Sequence, residues 1–193
     1  MIEIGPVVRL QVQTESLKRG QRPHRVYDPS PLRPVERLRL SRRGAIGVTA
    51  GGEEIPDVHH PAHPLSQSSP GREVSFGFTG HYAAMRDRHG PRLTPGCAGE
   101  NILIETARVW RLEDFGGGLA LRSAETGELG PLERVSVAAP CVEFSRFTLD
   151  SPAASPQELK PVLQFLDAGT RGYVFTPAGD FTLEVGDVLV RLG

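Results

Sequence analysis

The sequence predicts a single, mainly β domain of the barrel or sandwich type, and three observations support this. At 193 residues the chain is long enough for one domain with a substantial core and short for two. Short β-branched or alternating segments recur along it, and clusters of Gly, Pro and Asp separate them. Helical periodicity appears only twice. We therefore expect residues 1–193 to form one domain.

The strand-like segments are spread over the whole chain. In order, they are residues 7–13, 36–40, 74–78, 101–105, 119–122, 134–139, 172–177 and 180–192. Because Pro177, Ala178 and Gly179 separate the last two segments, these segments predict a closing hairpin with its turn at that point.

Two short helices are predicted beside the strands. Thr79 is placed to cap a helix over residues 81–89. Gly90 would end this helix, because glycine accepts the backbone conformation common after a last turn.

The second helix begins with a capping box formed by Ser155 and Glu158. Its apolar positions recur at helical spacing and mark one face: Leu159, Val162, Leu163 and Leu166. Pro161 either kinks this helix or starts it, since a proline ring clashes with the carbonyl four residues back.

Two long stretches, residues 14–34 and 49–71, look irregular. Loops of this length without structure of their own are usually functional or mobile. They are therefore candidates for building a site.

Composition and charge exclude several classes of partner. The formal net charge is −1 and the basic residues are spread along the chain, so we expect neither nucleic acid nor a membrane surface as a partner. No window approaches the roughly 18 apolar residues of a membrane span, and the first residues lack the layout of a signal peptide. We expect a cytoplasmic protein, whose two cysteines, Cys97 and Cys141, are separate reduced thiols.

The stretch PGCAGENILIE, residues 95–105, carries the most specific pattern. Gly96 and Gly99 permit backbone conformations that other residues avoid, while Glu100 and Asn101 offer hydrogen-bonding groups. Such a turn before a strand is a plausible cradle for an anionic or heterocyclic ligand. The alternative is a tight turn in which Glu100 and Asn101 satisfy their own backbone.

Cys141 follows a strand-like run and a proline. Because Pro140 cannot donate to a ladder, the thiol would lie at the rim of a sheet, and Arg146 nearby favours a thiolate. This pattern is typical of a reactive or metal-binding cysteine. A buried structural cysteine is the alternative.

Three histidines, His59, His60 and His63, suggest zinc. However, the intervening prolines exclude one regular helix, and no neighbouring cysteine or carboxylate cluster completes a tetrahedral set. A solvent-exposed or substrate-contacting loop is the competing interpretation.

Taken together, these segments resemble the MOSC family, named for the C-terminal domain of molybdenum cofactor sulfurase. GCAGENILIE matches the family's G-x-x-GEN turn, and REVSF at residues 72–76 is similar to its RQVSL segment. APC at residues 139–141 stands where the family has its late cysteine, and the tail from Arg171 resembles the family's closing segment. In order and spacing, the resemblance covers the chain from about Pro6 to Leu192.

The resemblance implies a distorted β-barrel with a few short helices and a cysteine at a cleft. By position the family cysteine corresponds to Cys141, which would be both the catalytic residue and the metal ligand, while Cys97 falls at a variable position. In enzymatic members the thiolate ligates molybdenum held by molybdopterin, and N-hydroxylated compounds are reduced. Other members are proposed to carry sulfur as a cysteine persulfide. Both functions stay open here.

The resemblance also implies a set of residues that contact the cofactor. The arginines would bind its phosphate, because guanidinium groups pair well with anions, and the turn would cradle its heterocycle. Each arginine could equally form an ordinary surface ion pair. The cofactor-binding set is Arg72, Ser75, Gly99, Glu100, Asn101, Arg146 and Arg171.

The absence of redox-cofactor motifs from the sequence indicates which partners each function would need. It has no dinucleotide fingerprint, flavin motif or iron-sulfur cysteine set. Besides a small-molecule substrate, the redox function needs a separate electron-donating reductase, and the carrier function needs a sulfur donor such as a cysteine desulfurase. The family's glycine-aspartate-histidine motif is missing at Gly51 and Gly52, where Asp57 with His59 and His60 stands in for part of it.

Overall fold

Fourteen strands and three helices make up the fold, and the computed structural model describes residues 1–193. The strands are β1 Ile2–Gln13, β2 Lys18–Arg19, β3 Val26–Tyr27, β4 Leu32–Pro34, β5 Arg37–Ser41, β6 Gly44–Val48, β7 Glu54–Pro56, β8 Val74–Phe78, β9 Ile102–Ile104, β10 Leu119–Arg122, β11 Leu129–Val137, β12 Tyr173–Pro177, β13 Phe181–Glu184 and β14 Val188–Arg191. The helices are α1 Thr79–His89, α2 Val142–Leu149 and α3 Pro156–Phe165, with a 3-10 turn at Leu112–Phe115 and a π-helical turn at Leu166–Thr170.

Seven strands close into a barrel, in the order β14-β10-β11-β12-β8-β9-β1, with β1 returning to β14. The long strand β1 can serve both neighbours because its register shifts twice, so its first part pairs with β14 and its middle with β9. The pair β8 and β9 is parallel, and α1 lies in the connection between them, as a parallel pair requires a crossover. A second sheet, β13-β5-β6-β7, stands beside the barrel.

Two apolar clusters hold the molecule together. The larger comprises 23 buried residues, mostly on barrel strands, and includes the aromatic group Phe76, Phe78, Tyr173 and Phe175. The smaller comprises 11 buried residues and joins the helices to the barrel, with members such as Tyr82, Phe144, Val162 and Leu103. The second cluster therefore packs the three helices against β3 and β9.

The mainly β prediction is confirmed, but the predicted closing hairpin is wrong. Strand β12 pairs with β11 and β8, whereas β13 pairs with β5 in the other sheet. Both edges of β12 are already occupied, so β13 has no place beside it. Residues 178–180 therefore carry the chain from one sheet to the other.

Helix α2 was not predicted, since β-like composition around residue 142 masks a two-turn helix. Helix α1 begins at Thr79, earlier than predicted, and the Thr79 side chain does not cap it. The Thr79 hydroxyl instead donates to the carbonyl of Thr106 at 3.0 Å. Gly90, with a φ of 100°, follows the last turn as expected.

The capping box of α3 is confirmed: Ser155 Oγ accepts from the Glu158 amide, and the Glu158 carboxylate accepts from the Ser155 amide at 2.8 Å. The helix begins at Pro156, so Pro161 lies inside it and does not start it. The predicted irregular stretches also contain short strands, β2 to β4 in the first and β7 in the second.

Candidate functional site

A cavity of about 320 Å³ opens where β8, the glycine turn and the start of α2 meet. Ligand-binding clefts commonly have volumes of roughly 300–1,000 Å³. The two long irregular stretches complete its wall. Six of the residues predicted from the sequence line it: Arg72, Ser75, Gly99, Glu100, Cys141 and Arg171.

Cys141 stands at the N-terminus of α2 and is half-buried. Its Sγ accepts a hydrogen bond from the Phe144 amide at 3.4 Å, which makes it the N-cap of the helix. Its carbonyl accepts from the Ser145 amide and hydroxyl, both at 3.0 Å. The thiol is thus held at the cavity wall by the first turn of a helix, and a thiol is a soft ligand for a metal or for sulfur.

Four basic residues line the same cavity: Lys18, Arg25, Arg72 and Arg171. Only Arg25 has a carboxylate within 4.0 Å, that of Glu143. Other arginines of the chain, such as those at positions 19, 33 and 122, lie in close ion pairs. The cavity cations are therefore available for an anionic ligand.

Arg171 is the most firmly placed of these cations. Its Nη1 donates to the Ala139 carbonyl at 2.6 Å, and its guanidinium lies 5.5 Å from the Phe144 ring centroid. Its Nε is buried without a hydrogen-bond partner. A buried donor left without a partner is costly, so this atom is a candidate ligand contact.

The glycine turn is supported by side chains from β1. Gly96 and Gly99 have φ values of 93° and 90°, as the sequence predicted. Gln11 Nε2 donates to the carbonyls of Gly96 and Glu100 at 2.8 and 2.7 Å, and Gln13 Nε2 donates to that of Gly99 at 2.9 Å. Side chains of β1 thus support the turn, which forms a shelf beside the cavity, and the Asn101 side chain bonds to Ser75 and Asp57 and not to the backbone of the turn.

Glu100 lies in this shelf with only 4% of its surface exposed. Its Oε2 accepts from the Tyr82 hydroxyl at 2.8 Å, while its Oε1 is buried without a partner. Burial raises the pKa of Glu100, against the hydrogen bonds from its own amide and Tyr82 and the weaker effects of the Arg171 and Arg9 charges.

Asn101 does not line the cavity, and its buried side chain works as a brace behind the wall. Its Oδ1 accepts from the Ser75 amide and hydroxyl at 3.0 and 3.1 Å. Its Nδ2 donates to Asp57 Oδ2 at 2.8 Å. Asn101 thus positions Ser75, which lines the cavity, and Asp57, which does not.

Asp57 and His59 form a pair that the sequence marked only as a partial substitute for a family motif. Asp57 is fully buried, and its Oδ1 lies 2.8 Å from His59 Nδ1 and accepts from the His59 amide at 2.9 Å. His59 lines the cavity, and its Nε2 makes no hydrogen bond within the chain. The Asp-x-His spacing was the available signal, but the burial of Asp57 depends on contacts that are distant in sequence.

The histidines do not form a zinc site. His60 Nδ1 accepts from the Ala62 amide, and His63 Nδ1 accepts from the Leu65 amide. No group of three or more His, Cys, Asp or Glu side chains is arranged to hold a metal ion. The zinc interpretation is therefore wrong, and His59 lies in a loop that lines the cavity.

Like Asn101, Arg146 and Cys97 do not line the cavity. The Arg146 side chain is directed to the Pro23 carbonyl at 3.5 Å and does not line the cavity. Cys97 is buried in the second core cluster, and burial raises the pKa of its thiol to about 12. Cys97 is thus a packed, neutral thiol that does not line the cavity.

Comparison with solved structures places this architecture among known folds. The chain matches the YuaD protein from Bacillus subtilis with 14% identity and a TM-score of 0.54, over 97% of this chain and 92% of that one. It matches YiiM from Geobacillus stearothermophilus with 16% identity and a TM-score of 0.56, over 97% and 75%. YiiM from Escherichia coli matches with 14% identity and a TM-score of 0.51, over 83% of this chain and 65% of that one.

The fold is MOSC-like. Because these sequence identities are 14–16%, the similarity supports a shared fold and nothing further. No protein-family model and no curated protein sequence matches the chain. None of its helices has the length and apolar character that crossing a membrane requires.

Proposed function

We propose that the cavity binds the molybdenum cofactor with Cys141 as the metal ligand, and that the loaded protein reduces N-hydroxylated small molecules. The observation that supports this most is the presence of Cys141 in one cavity with three cations that lack carboxylate partners, Lys18, Arg72 and Arg171.

The residues present fit this group. A half-buried thiol is a soft ligand that suits molybdenum, and the unpaired cations suit a phosphate. Two buried polar atoms without partners, Glu100 Oε1 and Arg171 Nε, offer contacts to a heterocycle or an anion. When bound, the cofactor would supply the two-electron redox chemistry, and the electrons would come from a separate reductase.

The proposed reduction needs a proton donor, and His59 is the histidine that lines the cavity. Reducing an N-hydroxylated compound breaks the N–O bond, takes up two electrons and two protons, and releases water. Asp57 Oδ1 holds His59 through Nδ1, which leaves Nε2 to exchange protons with solvent and pass them to the departing oxygen. His59 is therefore the proposed general acid.

A persulfide carrier is the second candidate, because the half-buried Sγ is reachable and one backbone amide already donates to it. Cys141 would form an S–S bond to the sulfane sulfur of a cysteine desulfurase while the donor's own S–S bond breaks and leaves a thiol. No electrons are gained or lost overall. Finding no sulfane sulfur on the protein after exposure to a charged desulfurase would reject this candidate.

The deciding experiment is the molybdenum and pterin content of protein purified from a cofactor-producing host, measured for wild type, Cys141→Ser and Cys97→Ser. We expect wild type and Cys97→Ser to be loaded and Cys141→Ser to lose the metal, because a serine oxygen is a poor soft ligand. A molybdoenzyme from the same host serves as the loading control. Absence of cofactor from all three proteins would reject the redox proposal.

A further inference from the structure

The carboxyl group of Glu100 is buried without an ion-pair partner. It lines the cavity, is 4% exposed, and no basic side chain lies within 4.0 Å of it. A buried carboxylate with one oxygen unbonded is unfavourable, so the state of this group needs an explanation.

The hydrogen bonds around Glu100 determine where a proton can reside. The Ala98 amide donates to the Tyr82 hydroxyl oxygen at 2.9 Å, so the hydroxyl proton is free to point at Glu100 Oε2, 2.8 Å away. Burial raises the pKa of Tyr82, which keeps that proton on the tyrosine. Oε2 is thus an acceptor in either state, and a proton taken up by the carboxyl group can only lie on Oε1.

The charges near Glu100 compete with its burial. Burial is the largest effect and favours the neutral acid, whereas the hydrogen bonds from the Glu100 amide and Tyr82, and then the charges of Arg171 and Arg9, favour the carboxylate. The nearby thiol of Cys97 adds no anion, since burial raises its pKa to about 12. The phenol of Tyr27 is likewise kept neutral, because burial raises its pKa.

We propose that Glu100 Oε1 carries a proton in the folded protein and donates a hydrogen bond to an acceptor atom of a heterocycle bound in the cavity. The acceptor would be a ring carbonyl oxygen or an unprotonated ring nitrogen. This inference rests on the proposed function and deepens it, because it makes Glu100 the residue that selects the ring. A ligand edge that presents only N–H groups would place an N–H donor against the proposed O–H donor of Glu100, so such a ligand would be rejected.

Two Glu100 variants of nearly equal side-chain size distinguish a hydrogen-bond donor at this position from a carboxylate acceptor. In Glu100→Gln, the carbonyl oxygen must accept from Tyr82, so the amide NH₂ takes the place of Oε1 and remains a donor. In Glu100→Met the donor is lost while the volume is largely kept. We expect pterin retained after extended dialysis to fall at most about twofold in Glu100→Gln and about tenfold in Glu100→Met. Thermal unfolding of both variants checks that they are folded.

Equal losses in the two variants would overturn the inference, because the site would then need a carboxylate acceptor. Full retention in Glu100→Met would also overturn it, since water alone would satisfy Oε1. If wild type carries no cofactor, the proposed function fails, and the three proteins are instead titrated with free pterin, followed by its fluorescence. The same ranking would support the inference, and no binding by wild type would overturn it. An infrared band of a protonated carboxylic acid at neutral pH, present in wild type and absent from Glu100→Gln, tests the position of the proton directly.

Discussion

Asp57 is the residue on which the histidine side of the cavity depends. Four donors converge on its two oxygens: the His59 amide and ring at Oδ1, and the Gln13 amide and Asn101 Nδ2 at Oδ2. The side chain is fully buried, so each bond is made without competition from water. One carboxylate thereby ties the His59 loop to β1 and to the glycine turn.

Replacing Asp57 by Asn should destabilise the protein strongly. In the variant an NH₂ group replaces one carboxylate oxygen and faces the two donors that bonded to that oxygen. We therefore expect the free energy of unfolding to fall by about 3 kcal/mol. Urea unfolding measures this, with Asp180→Asn, at an exposed aspartate, as the matched control. Equal stability of the two variants would show that the four bonds contribute little.

At the scale of elements, His81 of α1 binds the loop before the 3-10 turn. His81 Nε2 lies 2.9 Å from the Trp110 carbonyl oxygen and 3.1 Å from the Trp110 amide nitrogen. The ring is buried against Phe78, with the ring centroids 5.0 Å apart. Burial lowers the pKa of His81 to about 4.

This depressed pKa predicts a loss of stability in acid. Between about pH 6.5 and pH 4 the unfolded chain binds a proton at His81 and the folded protein does not, so acid favours unfolding. The contribution is complete above about pH 6.5 and fades as the pH falls toward 4, by at most about 3 kcal/mol. We expect His81→Gln to be less stable at pH 7 and to show a flatter pH profile in urea unfolding. The exposed His24→Gln variant should keep the wild-type slope.

At the scale of the whole molecule, β14 closes the barrel by pairing with both β1 and β10. Leu189, in the middle of β14, is 1% exposed and belongs to the larger core cluster. Its burial therefore links the first and last segments of the chain.

Truncating this side chain should test how far closure stabilises the fold. We expect Leu189→Ala to lower the free energy of unfolding by about 2–5 kcal/mol, through lost burial and a cavity. Val185→Ala, at a side chain that is 57% exposed just before β14, should change it by less than about 0.5 kcal/mol. Similar effects in both variants would mean that β14 is not an integral part of the core.

Much of the fold was predictable because the pattern of apolar and polar side chains along a strand reflects which of its faces is buried. Alternation and β-branched residues located β8 and β10 at their observed bounds and β5, β9 and β12 within one residue, and the capping box at Ser155 located α3. The same signals missed the first five residues of β1 and of β11 and the whole of β6. The glycine turn and Cys141 were likewise predicted as parts of one site, through the family resemblance, and both line the cavity. These signals are local, so a linear sequence carries them.

Only the tertiary structure decided which segments pair and which polar groups meet. Strand β13 joined a different sheet from β12 because both edges of β12 were taken, which no turn signal could show. Asn101 reaches Asp57 across 44 positions, and Arg171 lacks a carboxylate partner while similar arginines have one. By itself the sequence determined the mainly β character, several of the longer strands and the glycine turn. Packing decided barrel closure, the buried Asp57–His59 pair and the unpaired cations, because burial and charge pairing depend on residues far apart in the chain.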